Sequence, residues 1–126
     1  MPDPQQRALA LARELMQRLQ AGDAEGALAL YRDDVVVWRN LDQRELAKKQ
    51  VGRILRFLVG LRELRYADVR ILPTPEGFLQ QHTLCCVAPS GEPVAVPACM
   101  VARVEDGLLT RVDEYMDGAA MAPLMA

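Results

Sequence analysis

Between residues 9 and 19 the apolar side chains recur at helical spacing. Leu9, Ala12, Leu15, Met16 and Leu19 make one stripe, with Arg and Glu on the other side. Asp3-Pro4 supplies a cap and a proline at the first helical position, and Gly22 marks the stop. A second, short helix is predicted from Asp23, with Ala27, Leu28 and Tyr31 inward. The run Val35-Val36-Val37-Trp38 then changes character, being β-branched and aromatic, and reads as a strand. Asp42 and Glu45 stand three apart, a relative of the capping box, and predict the start of a third helix. Leu46, Ile54, Leu55 and Leu58 line it and Gly60 closes it.

Beyond Gly60 the chain reads as strands. Four are predicted, near 62–72, 78–88, 94–105 and 108–117, with turn chemistry at "PTPEG", "PSGEP" and "EDG" between them. Such short connections imply antiparallel hairpins. Helices first and a curled meander second is an α+β layout, predicted as one domain over residues 1–126 without repeats or linkers. The final "GAAMAPLMA" is apolar, and either covers a groove or frays.

Composition narrows the picture. Of 126 residues, 51% are hydrophobic and 25% charged, enough for a core without disulfide or metal. Net charge is −2 and the Lys and Arg residues are dispersed, so no nucleic-acid partner is expected. The three cysteines include adjacent Cys85 and Cys86, which point to opposite strand faces and are poorly placed to bond each other. Reduced thiols are the expectation. No zinc-type Cys/His spacing, phosphate loop or spaced acidic cluster occurs, so neither metal nor cofactor is expected. Arg and Glu interrupt the N-terminal apolar stretch, which therefore reads as neither signal peptide nor membrane span; a cytoplasmic protein with no membrane partner is expected.

Two strings carry a family resemblance. "AGDAEGALALYRDDVVVW" resembles the opening of nuclear transport factor two-like domains, a superfamily that includes the SnoaL-like proteins, and "VARVEDGLLTRVDEYMD" resembles their closing hairpin. The resemblance implies a cone-shaped α+β barrel: three N-terminal helices wrapped by a strongly bent, mostly antiparallel sheet that encloses a pocket, in a homodimer. Relatives include ketosteroid isomerase, limonene epoxide hydrolase, polyketide cyclases and non-enzymatic binders, so the fold alone does not name an activity. In the limonene epoxide hydrolase branch an aromatic-x-Asn pair helps hold a nucleophilic water, and Trp38 and Asn40 look like its counterparts. The Asp–Arg–Asp triad of that branch falls on His82, Gln80 and Glu114, so its Arg is absent and one Asp is replaced by His. For the ketosteroid isomerase pattern, Tyr31 is a loose match to the oxyanion donor, and no Asp takes the general-base position.

Strand register gives a site independently of the family. If Asp106-Gly107 and Ser90-Gly91 are both two-residue turns, Cys99 faces Glu114 and His82 faces Cys99. The expected row is His82–Cys99–Glu114, with Gln80, Val101 and Val112 on the neighbouring row; Pro97 is the place where a bulge would break it. Alternation puts Glu114 with Val112 and Met116, against Arg111, Asp113, Tyr115 and Asp117 on the other face. A carboxylate on the more apolar face is the informative oddity.

His82, the single histidine, is the natural proton carrier near neutral pH, and a carboxylate beside it would raise its basicity. The leading expectation is proton transfer (isomerisation, cyclisation or hydration) on a small, mostly apolar molecule. His82 and Glu114 would be catalytic, and Trp38, Asn40, Gln80, Cys99, Val101, Val112 and Met116 would bind substrate. A non-catalytic carrier of an apolar metabolite and a structural homodimer module stay open beside it. In those two, the strand face bearing Ala98, Met100, Ala102 and Val104 is the expected subunit contact, because so apolar a face needs a cover. The substrate itself is not legible.

Overall fold

The computed structural model describes residues 3–125. Helix α1 (Pro4–Gln20) opens with a full capping box: Asp3 Oδ1 accepts from Gln6 N at 2.7 Å, and Asp3 N donates to Gln6 Oε1. Its predicted stripe is buried at Ala12, Leu15, Met16 and Leu19 and half-buried at Leu9, and Leu11, not predicted, joins it inward. Short α2 (Ala24–Leu28) follows, capped by Asp23. Strand β1 (Tyr31–Arg39) starts earlier than the Val-rich run that announces it.

The third helix is displaced from its expected start. Residues 44–46 form a short strand, β2 (Arg44–Leu46), folded back on β1. Asp42 is not a helix cap: its carboxylate accepts from Arg44 N and Arg39 Nη2 inside the hairpin turn, where Gln43 has φ 54°. Helix α3 (Lys48–Val59) begins after Ala47, whose N–H donates to Gln50 Oε1.

Strands β3 (Arg62–Thr74), β4 (Gly77–Val87), β5 (Pro93–Glu105) and β6 (Leu108–Met116) then form the meander, and a short α4 (Ala122–Met125) ends the described chain. The fold is α+β. One curled, unclosed six-stranded sheet runs in the order β2-β1-β6-β5-β4-β3, and it is mixed because β1 pairs parallel to β6. Helix α1 lies over β3 and β4, and α3 over β1 and α2. The core between helices and sheet contains Val35, Val37, Phe78, Met100, Ala102, Leu109 and Val112. Met100 and Ala102 thus cover the helices, not a second subunit, which corrects the expected contact face.

Both expected turns decide the register, and one of them differs. Asp106 and Gly107 sit at φ 52° and 77° in a two-residue turn, with Glu105 opposite Leu108. The β4–β5 connection is one residue longer. Ala88 N bonds Glu92 O, Gly91 N bonds Ala88 O, and Pro89, Ser90 and Gly91 make a three-residue loop, with Gly91 at φ 92°. A second departure lies in β6, where Val104 faces Leu109 but Arg103 faces Arg111. Thr110 is the extra, bulged residue, buried beside Leu109, and its hydroxyl donates to Arg103 O. The bulge is there and not at Pro97, which pairs regularly with Thr83.

Candidate functional site

These two offsets move the cross-strand rows. His82 faces Ala98, which faces Met116; Gln80 faces Met100, which faces Glu114. The expected row His82–Cys99–Glu114 is therefore corrected: Cys99 pairs with Gln81 and Tyr115 and takes the other face. Val101 goes with it and is 40% exposed. A one-residue slip in β5 inverts every one of its side chains. The two slips cancel for β4 and β6, so His82, Gln80, Glu114, Val112 and Met116 share the helix-facing side.

The parallel partner strand supplies what the pattern of Trp38 and Asn40 concealed. Val35 and Val37 point into the core, so alternation sends Arg39 inward and Trp38 outward. Trp38 packs its ring against Tyr115 on the outer face, with centroids 5.2 Å apart. Asn40 is fully engaged with backbone: its Nδ2 donates to Met116 O at 3.1 Å and its Oδ1 accepts from Met116 N at 2.9 Å. It extends the β1–β6 ladder by one side-chain rung. Neither residue faces the helices.

Arg39 is the Cα partner of Glu114, so one row reads Arg39–Glu114–Met100–Gln80 across four strands. Sequence reasoning missed this arginine, although its alternation with Val35 and Val37 is the same signal that singled out Glu114. Arg39, Glu114 and Met100 of this row border a cavity of about 100 Å³ between the sheet and the helices, and Gln80 is buried beside it without lining it. Tyr31, Tyr66, His82 and Met116 line it from the sheet, Leu15, Leu19, Leu55 and Leu58 from α1 and α3, and Met121 from the C-terminal segment. The tail accordingly packs down, with Leu124 buried in a second apolar cluster beside Cys86, Val94 and Val96.

Charge in this cavity is poorly solvated. Burial raises the Glu114 carboxyl above its ordinary range, and the Arg39 cation only partly opposes that. Burial, helped by the negative charge of Glu114, lifts Tyr31 and Tyr66 far above a free phenol, so both stay protonated. His82 moves the opposite way. Burial lowers its imidazole to about 4, which makes it neutral at pH 7. The expected rise in His82 basicity from a carboxylate is thus corrected. Its Nδ1 is held by Gln80 Nε2 at 2.9 Å, and the Tyr66 ring meets its edge at 4.7 Å between centroids. With the amide nitrogen donating, Nδ1 accepts and the ring proton sits on Nε2.

Among the described residues Glu114 forms no ion pair, and Arg39 gives its Nη2 to Asp42 at 3.1 Å. Arg39 Nε is buried without a hydrogen-bond partner. No group of three or more His, Cys, Asp or Glu side chains with metal-binding geometry occurs among the described residues. No helix there is long and apolar enough to cross a membrane.

A curled sheet over helices, with a buried carboxyl on its inner face, defines a nuclear transport factor two-like architecture. The SnoaL-like domain model matches residues 12–112, and the chain belongs to that family. Solved structures share the fold closely at low identity. A proposed polyketide cyclase from Xanthomonas campestris pv. campestris is 21% identical, with 98% of this chain and 100% of that one covered and a TM-score of 0.83. A proposed isomerase from Bacillus subtilis is 11% identical, covering 98% and 96%, at 0.85. PrhC from Penicillium brasilianum is 15% identical, covering 98% and 88%, at 0.80. Among curated proteins, none matches the chain.

Proposed function

We propose that this domain catalyses proton transfer, as in isomerisation, cyclisation or hydration, on a small and mostly apolar molecule held in the inner cavity. The observation that carries the reading is Glu114: a carboxyl group with a raised pKa on the wall of an apolar cavity, next to an arginine. Such a carboxylate is a stronger base than one in water, and positioned general acid–base catalysis contributes about 10²–10⁴-fold. Neutral His82, its tautomer fixed by Gln80, donates from Nε2 and orients the substrate. Met116 and Met100 supply apolar contact, while Val112, expected to join them, is packed in the core and does not line the cavity.

The cavity, about 100 Å³, is smaller than the about 150 Å³ that accommodates benzene, so the reading calls for a molecule smaller than a six-membered aromatic ring. Multiple-turnover assays on small cyclic ketones and epoxides test the reading. Glu114→Gln is expected to lose most of the rate; full turnover in that variant would refute the role. Binding without turnover in the wild type would make the protein a carrier, which the apolar lining also favours.

The reading includes a homodimer built on the outer sheet face. Leu72, Leu79 and Val101 form an apolar row there, flanked by Tyr115 and Trp38. Light scattering tests it, with Val101→Asp expected to yield a monomer if the face is covered.

A further inference from the structure

The inner face of the sheet continues past His82. Along β4 its residues are Gln80, His82, Leu84 and Cys86, and their partners on β5 are Met100, Ala98, Val96 and Val94. The first two rungs are polar on β4; from Leu84 onward only Leu, Cys and Val are present. Leu84, Val96 and Met116 line the cavity and also belong to the apolar cluster around Leu124, so cavity and cluster form one continuous trough. From His82 to Cys86 it runs about 13 Å, at roughly 3.3 Å per strand residue.

Beyond the cavity, the end of the chain itself fills this trough. Met121 lines the cavity, and Leu124 is buried in the cluster. Both project from a segment that is otherwise weakly attached. Asp117 N donates to Pro97 O at 3.2 Å, and the Asp117 carboxylate accepts from Ala119 N and Ala120 N. Among the described residues, no hydrogen bond or ion pair joins residues 118–125 to any residue before Asp117. The segment hangs from a hinge at Asp117-Gly118 and from a few apolar side chains. Such a hold is non-directional, so another apolar body of similar area replaces it.

The trough also describes that body. It is long, apolar beyond His82, and polar at one end only, which fits an aliphatic chain with a single head group. We propose that residues 118–125 are a displaceable cover, and that the trough beneath them seats a medium-length aliphatic chain whose uncharged oxygen head group lies at His82 and Glu114. This extends the inner cavity and rests on that cavity being a ligand site, not on the proton transfer proposed for it. A hydroxyl head accepts from His82 Nε2–H and donates to the Glu114 carboxylate. The head is uncharged because burial disfavours charge on both neighbours. With the cover down, about 100 Å³ is open, enough for the head and the first carbons. With it lifted, the chain lies where Met121 and Leu124 lie now.

Primary alcohols test this on the full chain, because they undergo no isomerisation and report binding apart from catalysis. Calorimetry with 1-butanol, 1-hexanol, 1-octanol and 1-decanol gives the dependence on length. Between 1-hexanol and 1-decanol, affinity should climb about 3–4-fold per methylene, the value for burying each one. The ¹³C-methyl resonances of Met121 and Leu124 should leave their buried positions as 1-decanol is added. Leu124→Ala, which loosens the cover, should bind 1-decanol at least ~10-fold tighter and 1-butanol as the wild type does. Decanoate should bind at least ~10-fold more weakly than 1-decanol at pH 8.

An affinity that levels off at 1-butanol overturns the proposal, and so does 1-decanol bound with both methyl resonances unmoved. Neither arm requires a variant to fold. Equal 1-decanol affinity in Leu124→Ala and wild type overturns the cover, and decanoate bound as tightly as 1-decanol overturns the head group. Length-dependent binding in a protein that turns over no ketone or epoxide leaves the seat standing and refutes the proton-transfer reading instead. Turnover of small ketones with no binding of the longer alcohols does the reverse.

Discussion

Gln80 Nε2 and His82 Nδ1 stand 2.9 Å apart on the buried face of one strand, a polar pair set into an apolar wall. Residues two apart on a strand share a face, so β4 itself brings the amide to the ring. Gln80→Leu removes the donor and leaves Nδ1 buried without a partner, at a cost of about 1–3 kcal/mol. Denaturant unfolding checks the loss. The ¹⁵N shifts of His82 should show a mixture of tautomers in place of one.

The same ring makes stability depend on pH. Its native pKa, about 4, lies below the unfolded value of 6.5, so the unfolded chain binds the proton first as pH falls. Stability contributed by neutral His82 is complete above 6.5 and is lost on going down to about 4, up to ~3 kcal/mol for that shift. Thermal melts between those limits should show the decline, and His82→Gln should flatten it. A His82 titration near 6.5 in the native protein would contradict the burial argument.

Glu114 has the opposite sign. Its native pKa is raised, so the folded state binds the proton first, and stability falls as pH rises through the window above the unfolded value. Glu114→Gln should melt higher than wild type at pH 8 and converge with it in acid. The pattern of a stabilised but inactive variant is what a site strained for chemistry predicts.

Gly77 opens β4 opposite Arg103, and a Cβ there would run into the carbonyl oxygen of Ala102. That obstacle is backbone and cannot swing aside. Gly77→Ala should therefore destabilise by about 1–3 kcal/mol, the usual cost of overpacking, measurable by urea unfolding.

The helix stripe of α1, the order of elements and the inward turn of Glu114 were all legible, because burial on one face imposes a period that one sequence displays. The α3 start was not: Asp42 and Glu45 have the composition of a helix start, and only the pairing of Arg44–Leu46 with β1 shows that Asp42 serves a hairpin. The placement of His82, Gln80, Val112 and Met116 on the same sheet face as Glu114 was readable in the sequence, though only His82 and Met116 of these line the cavity. Cys99 and Val101 were misplaced because their face depends on the length of the loop at Ser90, which carries no unambiguous residue signal. Arg39 was hidden behind a more conspicuous neighbour. Trp38 drew the aromatic argument inward, whereas two flanking valines had already assigned that face to the arginine.

Thr110 touches no part of the cavity described above, yet it determines which side chains of β6 reach it. Counted back from the Asp106-Gly107 turn, an even ladder would set Glu114 opposite Cys99; the one added residue sets it opposite Met100. The identity of the site is in that sense a matter of parity. A straight β6 that paired Thr110 with Arg103 would present Asp113 and Tyr115 to the helices and expel the carboxyl, although every residue named in the chemistry would still be in the chain. A change that draws Thr110 into the ladder is thus a larger functional change for this domain than most substitutions inside its cavity.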